Sequence, residues 1–370
     1  MSFNTIPFIN PQFPDASLLA EDFEQIKANN WYTNFGPYEV KFKSAIEAFI
    51  GQSVHASTFN NATSALLAAL ITIFGKGNDT KYIVVPSFTF VAGPQAIVWC
   101  GYKPLFLDID PNTLQMDAKG YNALPEAVKK QVVGVLFCNT FGVGDPHIGA
   151  WQTLCKKENL PLIIDSAAGF GSLYADGSYI GAQGDCEIFS FHATKPFSIG
   201  EGGAITSRNK AFIKKVYALQ NFGFEEPRDA SLLGFNGKLQ EVNAAIGLRQ
   251  MDGFAKRLAS RRNTAELYKQ ALQEKGYTFQ ENAEHSSVCF FNALAKSPTH
   301  KAEVLARLLE KGVQARDYYN PVVHMQTYFK QAHAPLTKLA HTQHVASRII
   351  SLPVHDNMPK AVLQKIIDLC

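Results

Sequence analysis

Between Ser57 and Ser207, short runs of nearly unbroken apolar, β-prone residues alternate with stretches in which apolar side chains return every three or four positions. The runs Tyr82–Val85, Pro104–Asp108, Val132–Cys138, Leu162–Asp165, Ile188–Phe191 and Ala204–Thr206 read as strands. Strands covered on both faces lose the polar alternation, so this pattern predicts a mostly parallel sheet with helices on it. Thr63 to Phe74 sets Leu66, Leu67, Leu70, Ile71 and Phe74 on one helical face and reads as the first crossover helix. A Gly-, Pro- and acid-rich stretch, Asn221–Gly237, interrupts the pattern. A helical region then runs from Gln240 to Gly276, broken near Gly253, and bridges to a second unit. That unit reads as strand Val288–Ala293, amphipathic helix Lys301–Lys311, strand Val313–Arg316 and helix Met358–Leu369. The expectation is a large α/β domain over residues 1–245 and a small α+β domain over 246–370, with the first ~30 residues packing on the latter.

Composition narrows the function classes. Apolar residues make up 46% of the 370 and charged residues 18%, which suits a folded globular protein. A net charge of +3 is too small and too dispersed to call for nucleic acid. The basic cluster Lys256, Arg257, Arg261, Arg262 falls at helical spacing and reads as a solvated face. Six scattered cysteines without a CxxC pair read as reduced thiols in a cytoplasmic protein. The N-terminal residues lack the basic-then-apolar order of a signal peptide, and no apolar run approaches the ~20 residues that span a bilayer. His341 and His344, without acidic or thiolate companions, read as surface helix residues, so no metal is expected.

The chemistry gathers where strands end. Ser190-Phe191-His192-Ala193-Thr194-Lys195 closes one strand, and Pro196 holds Lys195 away from helical angles. A lysine at such an exit is biased by desolvation toward the neutral amine that bonds carbonyl carbon. Asp165 ends the apolar run Leu162–Asp165, at the strand end where ligands collect in parallel sheets. Asn61-Ala62-Thr63-Ser64 opens the first helix, whose free N–H groups suit a phosphate. Phe90, after the next strand, can stack on an aromatic ring. Singly, each has a plainer reading: a turn aspartate, a helix cap, a core phenylalanine. Together, in this order along one sheet, they suit pyridoxal phosphate (PLP), whose ring nitrogen needs an acidic partner and whose phosphate needs a cradle. The first strand-to-helix turn reads NNATSA where a dinucleotide fold would have GxGxxG. His192 reads either as a core histidine buttressing the loop or as a participant in substrate protonation.

The segments SFHATKPFSIGEGGAITS, NATSALLAAL, PSFTFVA, LIIDSAA and GFNGKLQEVNAAIGLRQM resemble the DegT/DnrJ/EryC1/StrS family of PLP-dependent sugar aminotransferases, and the likeness spans nearly the whole chain. The resemblance implies the type I PLP-transferase fold (aspartate-aminotransferase-like). It implies Lys195 as the Schiff-base lysine, Asp165 as the partner of the ring nitrogen, and Ser190 with Ala62, Thr63 and Ser64 as the phosphate cradle. Phe90 matches the stacking ring, and Asn236 an asparagine that reaches the neighbouring subunit's cofactor, so a homodimer with shared sites follows. Phe35 in the TNFGP segment and Tyr318 and His324 in ARDYYNPVVH match substrate-pocket positions. Arg228, Lys238 and Arg316 are candidates for the diphosphate. One departure concerns the glutamine the family carries three residues after the aspartate: here it is Ala168, with Ser166 or Asn139 as possible replacements. The implied reaction moves an amino group from L-glutamate to a nucleotide-linked keto-sugar, at the C4 or C3 carbon. The alternatives are a sugar dehydratase, which has histidine in place of the lysine, and a non-catalytic sugar-nucleotide-binding regulator.

Overall fold

The computed structural model describes residues 5–333 and 335–370. Its central sheet has seven strands: β1 (His55–Phe59), β2 (Tyr82–Pro86), β3 (Lys103–Leu107), β4 (Val132–Cys138), β5 (Leu162–Asp165), β6 (Cys186–Ser190) and β7 (Gly203–Ser207). They lie in the order β1-β7-β6-β5-β4-β2-β3, with β7 alone antiparallel to its neighbours. Side chains alternate between two cores. Val135, Phe137, Ile164 and Phe189 pack with Phe42, Trp151 and Phe197 on one face, while Leu136, Ile163 and Ile188 pack with Leu66 and Leu70 on the other. This is the layered arrangement of the type I PLP-transferase fold.

Register brings the strand ends into line. Cys138 pairs with Asp165 across β4 and β5, and Ser190 and Phe59 both pair with Gly203 on β7. A Cβ at Gly203 would stand 2.7 Å from the Ala62 nitrogen, so only glycine lets the helix Ala62–Phe74 start this close to the sheet.

The Gly- and Pro-rich stretch forms a small hairpin, β8 (Phe224–Glu226) with β9 (Asp229–Ala230). Beyond it, Gly253 in the left-handed region separates helices Glu241–Met251 and Phe254–Glu274. The second of these helices gives Phe254 and Leu258 to the sheet core and Tyr268 and Leu272 to a separate C-terminal core. There β10 (Phe290–Leu294) pairs antiparallel with β11 (Ile349–Pro353) beneath helices Pro298–Glu310 and Lys360–Leu369. Ile6 packs on this C-terminal core, whereas the helix Ala16–Asn29 is tied to Glu241–Met251 by the Asp22–Arg249 ion pair at 2.8 Å.

Two expectations need correction. Val313–Arg316 is extended but is no strand, because its backbone bonds are divided between Ile6 on one side and Ser351 on the other. The basic cluster is no solvated face beyond Lys256. Arg261 is buried against Asp356 and two backbone carbonyls, Arg257 bonds Gln250, and Arg262 bonds the carbonyls of Ser286, His285 and Gly171. The spacing was helical, but carbonyls and an acid from distant segments converge on the guanidiniums. All six cysteines are free thiols. Among the described residues no helix is long and apolar enough to cross a membrane.

Candidate active site

The aligned strand ends open onto a cavity of about 630 Å³. Ala62, Thr63, Ser64, Phe90, Asp165, Ser190, His192, Lys195 and Tyr318 all line it. The sequence had placed them on separate strands and turns; the sheet register brings them together.

Each is held for a local reason. Asn61 caps the helix Ala62–Phe74 by accepting the Ser64 N–H at 2.8 Å, which leaves the first-turn N–H groups of Ala62 and Thr63 without intrahelical partners. Those donors and the positive helix end suit a phosphate. After β6 the chain folds back on itself through Phe191 N–H to Gly202, Ala193 N–H to Gly200 and Ile199 N–H to Phe191. Phe191, Phe197 and Ile199 anchor this loop in the core, so half-buried Lys195 is presented to the cavity from a fixed base.

Asp165 is buried, and its Oδ1 accepts the Ala167 N–H at 3.0 Å. Among the described residues no donor bonds its Oδ2. Burial raises its pKa, with the Ala167 bond and the Lys195 charge pulling the other way. A desolvated carboxylate with a free oxygen in a cavity fits a protonated ring nitrogen, and the free helix end fits a phosphate at the other end of the same molecule. Phe90 is 60% exposed, an apolar ring at the cavity wall available for stacking. The residues present therefore fit PLP.

His192 is half-exposed, not a core residue. Its Nδ1 accepts the Thr194 N–H at 3.1 Å, so the neutral ring carries its proton on Nε2, which faces Glu201 at 3.6 Å. Several cavity residues escaped the sequence reading. Phe8 and Ile9 come from the N-terminal segment, Glu201 from the glycine-rich run, and Tyr319 from beside Tyr318. Only three-dimensional closure reveals the first two, whereas Glu201 lies within the quoted SFHATKPFSIGEGG run.

Other expected residues lie elsewhere in this chain. His324 is buried away from the cavity, where Nδ1 meets Ser87 Oγ at 2.7 Å; it clasps the turn after β2, and burial lowers its pKa. Phe35 stacks on Tyr217 at 3.9 Å. Arg316 is exposed above the Phe8 ring, and Arg228 is also exposed. Asn236 is exposed and bridges to Asn221, while Lys238 is buried and bonds Asn221 Oδ1 at 3.0 Å. Ala168 lines the cavity. Neither proposed replacement for its missing amide is free: Ser166 is fully buried, and the Asn139 amide is committed to Ser166, Tyr174 and Asp145.

The Mycobacterium tuberculosis protein Rv3402c (strain H37Rv) is 50% identical over 356 residues, which cover 95% of this chain and 86% of that protein. The Shigella dysenteriae dTDP-4-amino-4,6-dideoxy-D-glucose transaminase is 31% identical over 363 residues, 96% of each chain. The crystal structure of DesI in the presence of its TDP-sugar product superposes with a TM-score of 0.88 at 28% identity, over 100% of this chain and 92% of that one. Residues 15–370 match the DegT/DnrJ/EryC1/StrS aminotransferase family as a whole. The chain belongs to that family and is, by membership and by fold, a PLP-dependent aminotransferase acting in amino-sugar chemistry.

Proposed function

We propose that the chain moves the amino group of L-glutamate to the keto carbon of a nucleotide-linked keto-deoxyhexose, making an amino sugar for surface polysaccharide or glycoconjugate. The acceptor is a dTDP- or UDP-4-keto-6-deoxyhexose, a choice supported by the name of the Shigella relative. The observation that carries the reading is that Lys195 and Asp165 line one cavity with the free end of the helix Ala62–Phe74.

When bound, PLP supplies the electron sink for bonds broken at the amino-bearing carbon. Ala62, Thr63, Ser64 and Ser190 hold its phosphate, Phe90 covers its ring, and Asp165 keeps the ring nitrogen protonated. Lys195 would hold the group through its Nζ, and the free Nζ would be the base that takes the proton from the donor's Cα. His192 offers its Nε2 hydrogen to a substrate oxygen in place of Glu201, while the Thr194 N–H on Nδ1 holds the ring. Tyr318 lines the sugar side, and Arg316 beside it is a candidate for the diphosphate.

The active form is a homodimer with shared sites. In the single chain Phe90 is exposed, while Phe35 and Asn236 stand outside the cavity; a second subunit covers the one and receives the others. The reaction is assigned to the cytoplasm, where six free thiols persist.

The purified protein should show the visible absorbance of lysine-bound PLP, lose it on adding L-glutamate, and aminate a member of a nucleotide keto-sugar panel. Colour that responds to glutamate without amination of any member contradicts the substrate assignment. Colour unmoved by glutamate contradicts the donor.

A further inference from the structure

Immediately after Asp165, Ser166 belongs to a closed ring of four buried polar atoms. Glu187 Oε2 accepts Ser166 Oγ–H at 2.6 Å and Tyr174 Oη–H at 3.1 Å. At the opposite corner, Asn139 Nδ2 donates to the same two hydroxyl oxygens at 2.9 and 3.1 Å. An acceptor-only corner thus faces a donor-only corner, and each hydroxyl passes the polarity from one to the other.

Both ends of the ring are fixed from outside. The second Glu187 oxygen accepts the N–H groups of Gly181 and Gln183 at 2.8 and 2.9 Å, so the carboxylate cannot turn. Asn139 Oδ1 accepts the Asp145 N–H at 3.2 Å, which sets the amide the same way round. Glu187 and Ser166 are fully inaccessible, and Asn139 and Tyr174 nearly so, which makes any unpaired donor here costly. Asn139 lines the cavity, and its backbone N–H bonds the Asp165 carbonyl at 3.0 Å.

We propose that Glu187 is a positioning residue for the cofactor. By setting the polarity of this ring it fixes the Asn139 carboxamide and the backbone that follows Asp165, and through them the direction in which the Asp165 carboxylate faces the cavity. This inference rests on the assignment of Asp165 to the cofactor's ring nitrogen.

Glu187→Gln preserves shape and reverses one corner. Because Gly181 and Gln183 still require the amide oxygen, the new NH₂ must point at Ser166 and Tyr174. Two donor corners then face each other, and the hydroxyl hydrogens have no acceptor in the ring. Adding Asn139→Asp converts the opposite corner to an acceptor, so the ring closes again with reversed polarity.

The test titrates the full-length apo protein with PLP, following absorbance, alongside its thermal midpoint without cofactor. E187Q is expected to bind PLP about tenfold more weakly than the unaltered chain, and E187Q/N139D to recover to within about threefold. Unchanged affinity in E187Q overturns the proposal even if the thermal midpoint falls, since that is what a merely structural carboxylate predicts. A double variant no better than E187Q also overturns it. Should E187Q not fold, Tyr174→Phe opens the ring at a single corner; about threefold weaker binding supports the proposal and equal binding overturns it. If the unaltered chain takes up no PLP, the reading of Asp165 falls and this inference with it. Unchanged binding in E187Q removes the inference alone.

Discussion

Cys138 and Asp165 stand in register at the ends of β4 and β5, so the carboxylate that faces the cavity has a neutral thiol as its partner on that side. Burial pushes the Cys138 thiol up to about 12, and its sulfur accepts the Thr89 hydroxyl at 3.2 Å. The cation that acts on Asp165, Lys195, comes from the loop after β6 and not from a neighbouring strand. Asp165→Asn is therefore predicted to keep the phosphate cradle but to bind PLP at least about tenfold more weakly, and to lower turnover by at least about 100-fold through loss of the charge that holds the ring proton. Turnover at saturating PLP measures this; a loss under tenfold contradicts it.

The cap at Asn61 links stability to the phosphate cradle. Asn61→Ala removes the acceptor for the Ser64 N–H and should destabilise the apo protein by about 1 kcal/mol. It also lets the first turn fray where the phosphate binds, so PLP affinity should drop in parallel. Denaturant unfolding with and without PLP measures both effects, and an unchanged affinity argues against phosphate at this helix end.

Asp145 gives a pH-dependent prediction. Burial raises its pKa to about 6 from an ordinary 3.8. The folded state therefore holds this proton more tightly than the unfolded chain, so the group's stabilising contribution is complete below about pH 3.8 and is lost as pH rises through 6. Asp145→Asn retains an acceptor for the His147 N–H and should stabilise the protein at pH 7.5 by on the order of 1–3 kcal/mol. The gain should shrink through pH 6 and vanish near 4. Equal stability of the two proteins at pH 7.5 would count against the assignment.

Arg261 marks a limit of reading from sequence. Six strands and the crossover helix were legible because an all-apolar strand and a three-to-four repeat are written locally. Lys195, Asp165, Ser190, Phe90 and the Ala62–Ser64 turn, which share one cavity, stood out in the sequence because each ends or follows a strand. Arg261 looked like a solvated cation because Asp356 and the carbonyls of Val288 and Val354 come from far along the chain. The place of His324 was hidden for the same reason: the partner of its Nδ1 is Ser87, far along the chain. Glu187 looked like an ordinary charge within a strand, since its four donors assemble only in three dimensions. Arg261→Ala leaves Asp356 buried with, among the described residues, Arg257 as its remaining ion-pair partner, and should destabilise the fold by about 3–5 kcal/mol. A loss under about 1 kcal/mol in urea unfolding would restore the solvated-face reading.

The central claim is that the amine of Lys195 bonds the cofactor. Reducing the PLP-loaded protein with borohydride, digesting it and sequencing the labelled peptide by mass spectrometry tests this directly. The phosphopyridoxyl mass should sit on Lys195 and on no other lysine, and be absent from Lys195→Ala. A label on another lysine, or none on a protein that has visibly bound PLP, contradicts the account.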